Sequence, residues 1–73
     1  GGEKLELRQL EYFITVSELK NFTKAAKVLF VSQPAITKAI NSLEDELGIK
    51  LFNRSSRKVS LTKEGEVFYN HVD

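Results

Sequence analysis

A polar strip with a four-residue spacing is the first feature of this sequence that could do chemistry. Gln33, Thr37 and Asn41 recur at every fourth position, so in a helix they would share one face. Glutamine and asparagine amides can pair bidentately with the edge of adenine, and a threonine methyl group can pack against the methyl group of thymine. The strip therefore predicts a surface that reads base edges in a DNA major groove. An ordinary solvated helix face has the same composition, and the spacing alone leaves both interpretations open.

A second candidate is a short cationic segment, Arg54-Ser55-Ser56-Arg57-Lys58. Three cations in five residues at a protruding turn would suit phosphates or the minor groove, whose negative potential deepens in A-tracts. Lys24 and Lys27 could reach flanking phosphates from an adjacent helix. A turn or helix face that is merely soluble remains the alternative in each case.

The positive charge is segregated along the chain although the net charge is only +1. Residues 19–43 and 47–63 together hold nine of the eleven lysines and arginines and none of the ten acidic residues. The acids lie before, between and after these two segments. Such a chain can present one strongly positive face, which is the electrostatic signature of a protein that binds a polyanion.

The composition argues against most other functions. A chain of 73 residues without cysteine and with His71 as its one histidine lacks the ligands and nucleophiles of most metal and covalent-catalytic sites. We therefore predict one small domain that is not an enzyme and carries no metal and no cofactor. No apolar run approaches the roughly 20 residues that span a bilayer, and no export signal opens the chain. This predicts a cytoplasmic protein without a membrane partner.

The apolar spacing predicts three helices in the first two thirds of the chain. The first runs from Leu7 to about Leu19, and Asn21 caps a shorter second helix. The third covers about residues 33–47, because Ser32 is a good cap and Pro34 falls in the first turn, where its missing N–H costs nothing. Gly48 is expected to end it in a left-handed conformation.

The remaining residues predict a hairpin and a last helix. Val59 and Leu61 alternate with polar residues as in a strand, Leu51–Phe52 could pair with them, and residues 53–57 would form the tip. Thr62 would cap a final helix, which has no terminator before the chain ends. The predicted fold is therefore mainly α, a winged helix-turn-helix with a three-helix core and a two-stranded β wing. Residues 1–5 are interpreted as a remnant of protein expression, and the winged domain as residues 6–62.

Several short motifs resemble one family in order and spacing. They are Leu7-Arg8-Gln9-Leu10-Glu11-Tyr12-Phe13, Phe22-Thr23-Lys24-Ala25-Ala26, Val31-Ser32-Gln33-Pro34-Ala35-Ile36-Thr37-Lys38, Leu43-Glu44-Asp45-Glu46-Leu47-Gly48, Leu51-Phe52-Asn53-Arg54 and Leu61-Thr62-Lys63-Glu64-Gly65. Together they resemble the N-terminal DNA-binding domain of LysR-type transcriptional regulators, over nearly the whole chain. The sequence departs from the family at Ile36-Thr37-Lys38, where Leu-Ser-Arg is commoner. Because lysine is a point charge and not a planar fork, we expect Lys38 to contact a phosphate more than a guanine.

The resemblance implies roles for individual residues. The family's recognition-helix positions fall on Gln33, Pro34, Ala35, Thr37 and Lys38, its wing contact on Arg57, and a hydroxyl that bonds the DNA backbone on Thr23. Combined with the cations and the helix start at Ser32, this predicts two groups of contacts. The base contacts are Gln33, Pro34, Ala35 and Thr37; the phosphate or wing contacts are Thr23, Lys24, Ser32, Lys38, Arg54, Arg57 and Lys58.

The resemblance also implies partners. Family members continue from the last helix into a linker helix that pairs two chains, so residues 63–73 would be its truncated start. A homodimer or a dimer of dimers would then read an interrupted inverted repeat in double-stranded DNA, while the isolated fragment would be monomeric or weakly dimeric. Val67, Phe68 and Val72 could begin that pairing seam or pack into this domain's own core. A winged-helix module that binds another protein without reading DNA is the alternative function.

Overall fold

Four helices and a two-stranded sheet make up the fold in the computed structural model, which describes residues 7–54 and 59–72. The elements are α1 (Leu7–Leu19), α2 (Phe22–Leu29), α3 (Gln33–Leu47), β1 (Phe52–Asn53), β2 (Ser60–Leu61) and α4 (Lys63–Val72). Helices α1, α2 and α3 pack against one another, and α4 returns to α1 and β2. The prediction of a mainly helical, winged helix-turn-helix fold is confirmed.

The helix ends follow the caps that the sequence predicts. The Asn21 side chain accepts the Lys24 N–H at 2.8 Å, and the Ser32 hydroxyl accepts the Ala35 N–H at 3.2 Å. Thr62 accepts the Gly65 N–H at 2.9 Å. Gly48 ends α3 with φ 72°, a left-handed conformation that glycine adopts without steric cost. Local side-chain chemistry therefore fixes where α3, the candidate reading helix, begins and ends.

The turn between α2 and α3 contains a left-handed residue, the conformation that glycine favours, although the residue there is Phe30. Phe30 has φ 60°, its N–H donates to the Lys27 carbonyl at 3.3 Å, and the Val31 N–H donates to the Ala26 carbonyl at 3.0 Å. These two bonds form a Schellman motif, in which the left-handed position is usually glycine. The Phe30 side chain is 94% exposed. The turn is thus held by backbone bonds while an aromatic ring points into solvent.

Aromatic rings and the apolar stripe of α3 form the core. Phe13 is fully buried, with ring centroids 5.5 Å from Phe52 and 5.1 Å from Phe68. Such tilted and edge-on arrangements are the favoured ones for aromatic pairs. The stripe of α3 contributes Ile36 and Ile40, both without exposed surface. Because this stripe is buried, the opposite face of α3 is held toward solvent.

The first strand of the hairpin is shifted by one residue from its predicted bounds. Phe52 lies opposite Leu61 and Asn53 opposite Ser60 in an antiparallel pair, so Asn53 belongs to a strand and not to the tip. The first strand begins one residue later than predicted, because the Leu51 N–H donates to the Glu44 carboxylate, although its carbonyl still bonds across the hairpin by accepting the Thr62 N–H. Leu51 therefore joins α3 to the start of α4.

Helix α4 divides the apolar residues that the sequence left undecided. Phe68 and Val72 are partly buried against the core, whereas Val67 is 59% exposed. The Tyr69 hydroxyl also donates to Glu18 of α1 at 3.1 Å. Two of the three residues thus pack into this domain, and Val67 faces outward.

Candidate nucleic-acid interface

The first turns of α3 present polar side chains to solvent. Gln33, Pro34 and Lys38 are exposed, and Ala35 and Thr37 are half-buried. All five precede or flank the buried stripe of Ile36 and Ile40, so the packing of α3 directs them outward. The residues that the sequence predicts as readers are accessible along this part of the helix.

Gln33 and Thr37 are joined to each other on this surface. The Gln33 Nε2 donates to the Thr37 Oγ1 at 2.9 Å, which ties two side chains one turn apart. They line an open groove of about 320 Å³ together with Phe22, Arg54 and Val59. The groove lies between the first turns of α3 and the base of the wing, so a ligand that enters it meets both elements.

The start of α2 lies beside the same groove. Thr23 and Lys24 are exposed in the first turn of α2, and a neighbouring groove of about 250 Å³ is lined by Thr23, Asn21, Phe22 and Val59. Phe22 and Val59 line both grooves, so this helix start and the α3 surface are contiguous. Thr23 is therefore placed next to the polar strip of α3.

A third groove runs along the other side of α3, and one of its lining residues is a cation that sequence reasoning missed. Lys38 and Ser42 of α3 face Arg8 and Gln9 of α1 across about 300 Å³, and Arg8 and Lys38 are both exposed. Arg8 lies outside the two acid-free segments, so charge counting did not select it. Only the packing of α1 on α3 brings it beside the candidate interface.

Arg54, predicted at the wing, turns back toward the helices. Its Nη1 donates to the Asn41 Oδ1 at 2.8 Å, and its Nη2 donates to the Glu44 Oε1 at 3.3 Å. The guanidinium also stacks over the Phe22 ring, 5.3 Å from the centroid, as a cation–π contact. Arg54 thus links α2, α3 and the end of β1. The predicted contacts Arg57 and Lys58 lie outside the described residues.

Glu44 is the buried partner of this arrangement. It is 3% exposed, and its Oε2 accepts the N–H groups of Leu51 at 2.8 Å and Phe52 at 3.4 Å. In the sequence it belongs to a run of three acids between two basic segments, yet the structure buries Glu44 and exposes Asp45 and Glu46. Its position, four residues after Ile40 on the apolar stripe, was the signal that could have revealed it.

No metal centre and no membrane helix are found in the part of the chain that the structure describes. Across residues 7–54 and 59–72, no three or more histidine, aspartate or glutamate side chains are grouped so that they could hold a metal ion. Within the same ranges, none of the helices combines the length and apolar character needed to cross a membrane.

The tight turn between α2 and α3, the outward polar strip of α3 and the hairpin that follows define a winged helix-turn-helix domain. Residues 7–66 match the model of the family described as "Bacterial regulatory helix-turn-helix protein, lysR family". The chain belongs to the LysR family, and the resemblance seen in its motifs is confirmed.

Curated relatives are transcriptional regulators. The chain is 49% identical over 68 residues to the HTH-type transcriptional regulator BenM of Acinetobacter baylyi. The match covers 93% of this chain and 22% of BenM. It is 48% identical over 67 residues to the HTH-type transcriptional regulator AlsR of Bacillus subtilis, covering 92% of this chain and 22% of AlsR. The chain thus spans about a fifth of the length of these two relatives.

Solved structures share the fold closely. The crystal structure of the BenM_DBD/catB site 1 DNA complex superposes with a TM-score of 0.89 at 49% identity, over 92% of this chain and 74% of that one. The CbnR_DBD–DNA complex gives a TM-score of 0.87 at 48% identity, over 92% of this chain and 77% of that one. Both are structures of DNA complexes.

Proposed function

We propose that this chain binds double-stranded DNA sequence-specifically, with the first turns of α3 in the major groove and the wing on phosphates or the minor groove. The observation that carries the proposal is the outward polar surface of α3, where Gln33, Pro34 and Lys38 are exposed beside a groove that reaches the wing base. An α-helix fits the major groove, and amide and methyl groups discriminate its base edges. DNA complexes of relatives 48–49% identical to this chain support the same conclusion.

The contacts divide into readers and anchors. Gln33, Pro34, Ala35 and Thr37 are proposed to meet the bases. Ser32 uses its oxygen to cap α3, and its hydroxyl hydrogen remains able to donate to a phosphate. The other residues proposed to contact phosphates carry a cation or a hydroxyl, and they lie near the grooves described above or belong to the cationic segment 54–58. They are Thr23, Lys24, Lys38, Arg54, Arg57, Lys58 and, added by the structure, Arg8.

Arg54 has a double role in this proposal. Two of its nitrogens are bound to Asn41 and Glu44, while a guanidinium carries five N–H donors. Its side chain is 35% exposed in the groove beside Gln33. The bonds to Asn41 and Glu44 hold the guanidinium in place, and its remaining donors can meet a phosphate. We therefore expect Arg54 to contribute to stability as well as to affinity.

For the whole protein we propose a cytoplasmic transcriptional regulator without enzymatic activity that acts as a homodimer or a dimer of dimers. Residues 6–62 form the winged domain in this proposal, and residues 63–73 begin the linker helix. The outward Val67 lies beside an apolar pocket of about 320 Å³ that Ile49 and Phe68 also line, which offers a surface for a second chain. Two domains would read an interrupted inverted repeat, one in each half-site.

A salt titration tests the function. We would fuse the chain to a dimerising coiled coil, select bound duplexes from a random pool, and measure affinity for the selected and a scrambled duplex between 50 and 300 mM salt. Log K should fall linearly with log salt, by roughly 0.9 for each phosphate contacted, and the selected duplex should bind more tightly throughout. No binding to any duplex at low salt would instead favour the protein-interaction module.

A further inference from the structure

We propose that Thr37 is a specificity-determining residue because it fixes the direction of the Gln33 amide, so that each half-site carries an adenine at the position that Gln33 reads. The inference rests on the proposed function and concerns a bond between two candidate readers, Gln33 Nε2 to Thr37 Oγ1 at 2.9 Å. It assigns to the Thr37 hydroxyl a role separate from any contact of its methyl group with a thymine.

The chemistry follows from the donors and acceptors of the amide. A free glutamine amide can turn either end toward the DNA, so it offers its donors and its acceptor in either order. In the structure Nε2 donates to the Thr37 hydroxyl, so the nitrogen end lies toward the next turn of α3 and the oxygen Oε1 lies on the opposite side. The reverse orientation would need the hydroxyl hydrogen of Thr37, which a helical threonine commonly donates to the carbonyl one turn earlier. One N–H and the carbonyl oxygen stay available, and this donor and acceptor complement N7 and the N6 amino group of adenine.

The surroundings make Thr37 a firm anchor and Gln33 a mobile reader. Thr37 is half-buried between the buried residues Ile36 and Ile40 along α3, and its β-branched side chain has few rotamers. Gln33 is exposed in the first turn of the helix. The bond to Thr37 therefore restricts the Gln33 side chain, which would otherwise sample several rotamers. Guanine presents two acceptors at the same place, which this fixed edge does not match.

The test uses two substitutions that separate the hydroxyl from the methyl group. Thr37→Val keeps the shape and the methyl group but removes the acceptor for Gln33, and Thr37→Ser keeps the hydroxyl but removes the methyl group. Each chain and the wild type would be incubated at low salt with duplexes randomised over one half-site, and the base frequencies of the bound fraction would be sequenced.

In the wild type, adenine should exceed guanine at one position by roughly 5- to 150-fold, the range expected for a bidentate pair. Thr37→Val should bring this ratio near one, while Thr37→Ser should retain it. In a Gln33→Ala chain the ratio should already be lost, and adding Thr37→Val should change it no further. Urea unfolding of each variant would confirm that all of them remain folded at the assay temperature.

Either of two results with the Thr37 variants would overturn the inference without touching the proposed function. One is a Thr37→Val chain that keeps the adenine preference, and the other is a Thr37→Ser chain that loses it as fully as Thr37→Val does. A wild-type chain that selects a sequence without adenine at any position sensitive to Gln33→Ala also refutes it. Failure of the wild type to enrich any sequence would refute the proposed function itself.

Discussion

The two ends of α3 differ in exposure and in bonding although they belong to one continuous helix. In the first turns, Gln33, Pro34 and Lys38 are exposed, and Gln33 bonds only to a neighbour on the same surface among the contacts described. In the last turns, Glu44 is buried and accepts the N–H groups that lead into the wing, and Asn41 accepts from Arg54. The helix therefore offers its start to a ligand and uses its end to hold the fold.

This contrast shows how a small domain can keep a polar surface free for binding. The start of α3 is fixed by backbone and cap bonds at Ser32, which occupy no reading side chain. The wing base is fixed through Asn41 and Glu44, which lie in the later turns of α3 and bind Arg54 and the N–H group of Leu51. Because the anchoring groups and the reading groups are separated along the helix, substitutions at the two ends are expected to affect different quantities.

The largest expected effect is on stability, from Glu44→Ala. It leaves the half-exposed Arg54 guanidinium without its carboxylate and the buried N–H groups of Leu51 and Phe52 without their acceptor. Each unsatisfied buried donor costs about 1–3 kcal/mol, so the two together cost about 2–6 kcal/mol. The free energy of unfolding, measured by urea denaturation, should fall by that amount. The exposed neighbour Asp45 provides the control, since Asp45→Ala should change it by no more than about 0.5 kcal/mol. Equal effects of the two substitutions would remove the contrast between the two ends of α3.

At the other end, Gln33→Ala should leave stability almost unchanged and reduce selectivity. Its amide is proposed to pair with a base edge, so the preference for the selected over a scrambled duplex should fall by about 1–3 kcal/mol. Competition binding at fixed salt measures this difference. If affinity for both duplexes falls equally, Gln33 does not read bases.

A smaller and sequence-independent effect is expected from Arg8→Ala. Arg8 and Lys38 line the same groove, and removing one phosphate contact should reduce the slope of log K against log salt by about 0.9. The selected and the scrambled duplex should weaken alike, and Arg57→Ala in the cationic segment should behave in the same way. Arg8→Lys keeps the charge and serves as the matched control. An unchanged slope for Arg8→Ala would exclude Arg8 from the interface.

The smallest effect concerns the turn that leads into α3. Phe30→Gly removes a side chain from a left-handed residue, φ 60°, that lies in a position usually held by glycine. Since the ring is almost fully exposed, we expect the free energy of unfolding to rise by about 1 kcal/mol. The control is Val28→Gly within α2, which should lower it. A loss of stability for Phe30→Gly would show that the ring is held by contacts in solution.

Features with a local signal could be predicted from the sequence. Caps at Asn21, Ser32 and Thr62, and the left-handed end at Gly48, depend on one side chain and its nearest backbone groups. The amphipathic stripe of α3 likewise predicted which face is exposed. The site residues on this face are accessible as expected, and their roles at DNA remain proposals.

Features that depend on tertiary packing could not be predicted in this way. The return of Arg54 to Asn41 joins residues thirteen apart, and the place of Arg8 beside Lys38 depends on how α1 lies on α3. Phe30 gave no warning either, because its left-handed turn carries none of the residues that mark such turns. Glu44 belongs to a run of three acids that charge alone does not distinguish, and the apolar position it occupies was the better guide.

The most direct test of the account is a titration of the ¹⁵N-labelled chain with a selected duplex, followed through its backbone amide resonances. We predict that the largest shifts occur at Thr23 and Lys24 and at the amides of residues 32–38 other than Pro34, with small shifts at Glu44 and Leu51. Shifts that concentrate instead on α4, around Val67 and Phe68, would contradict the claim that the start of α3 meets the DNA.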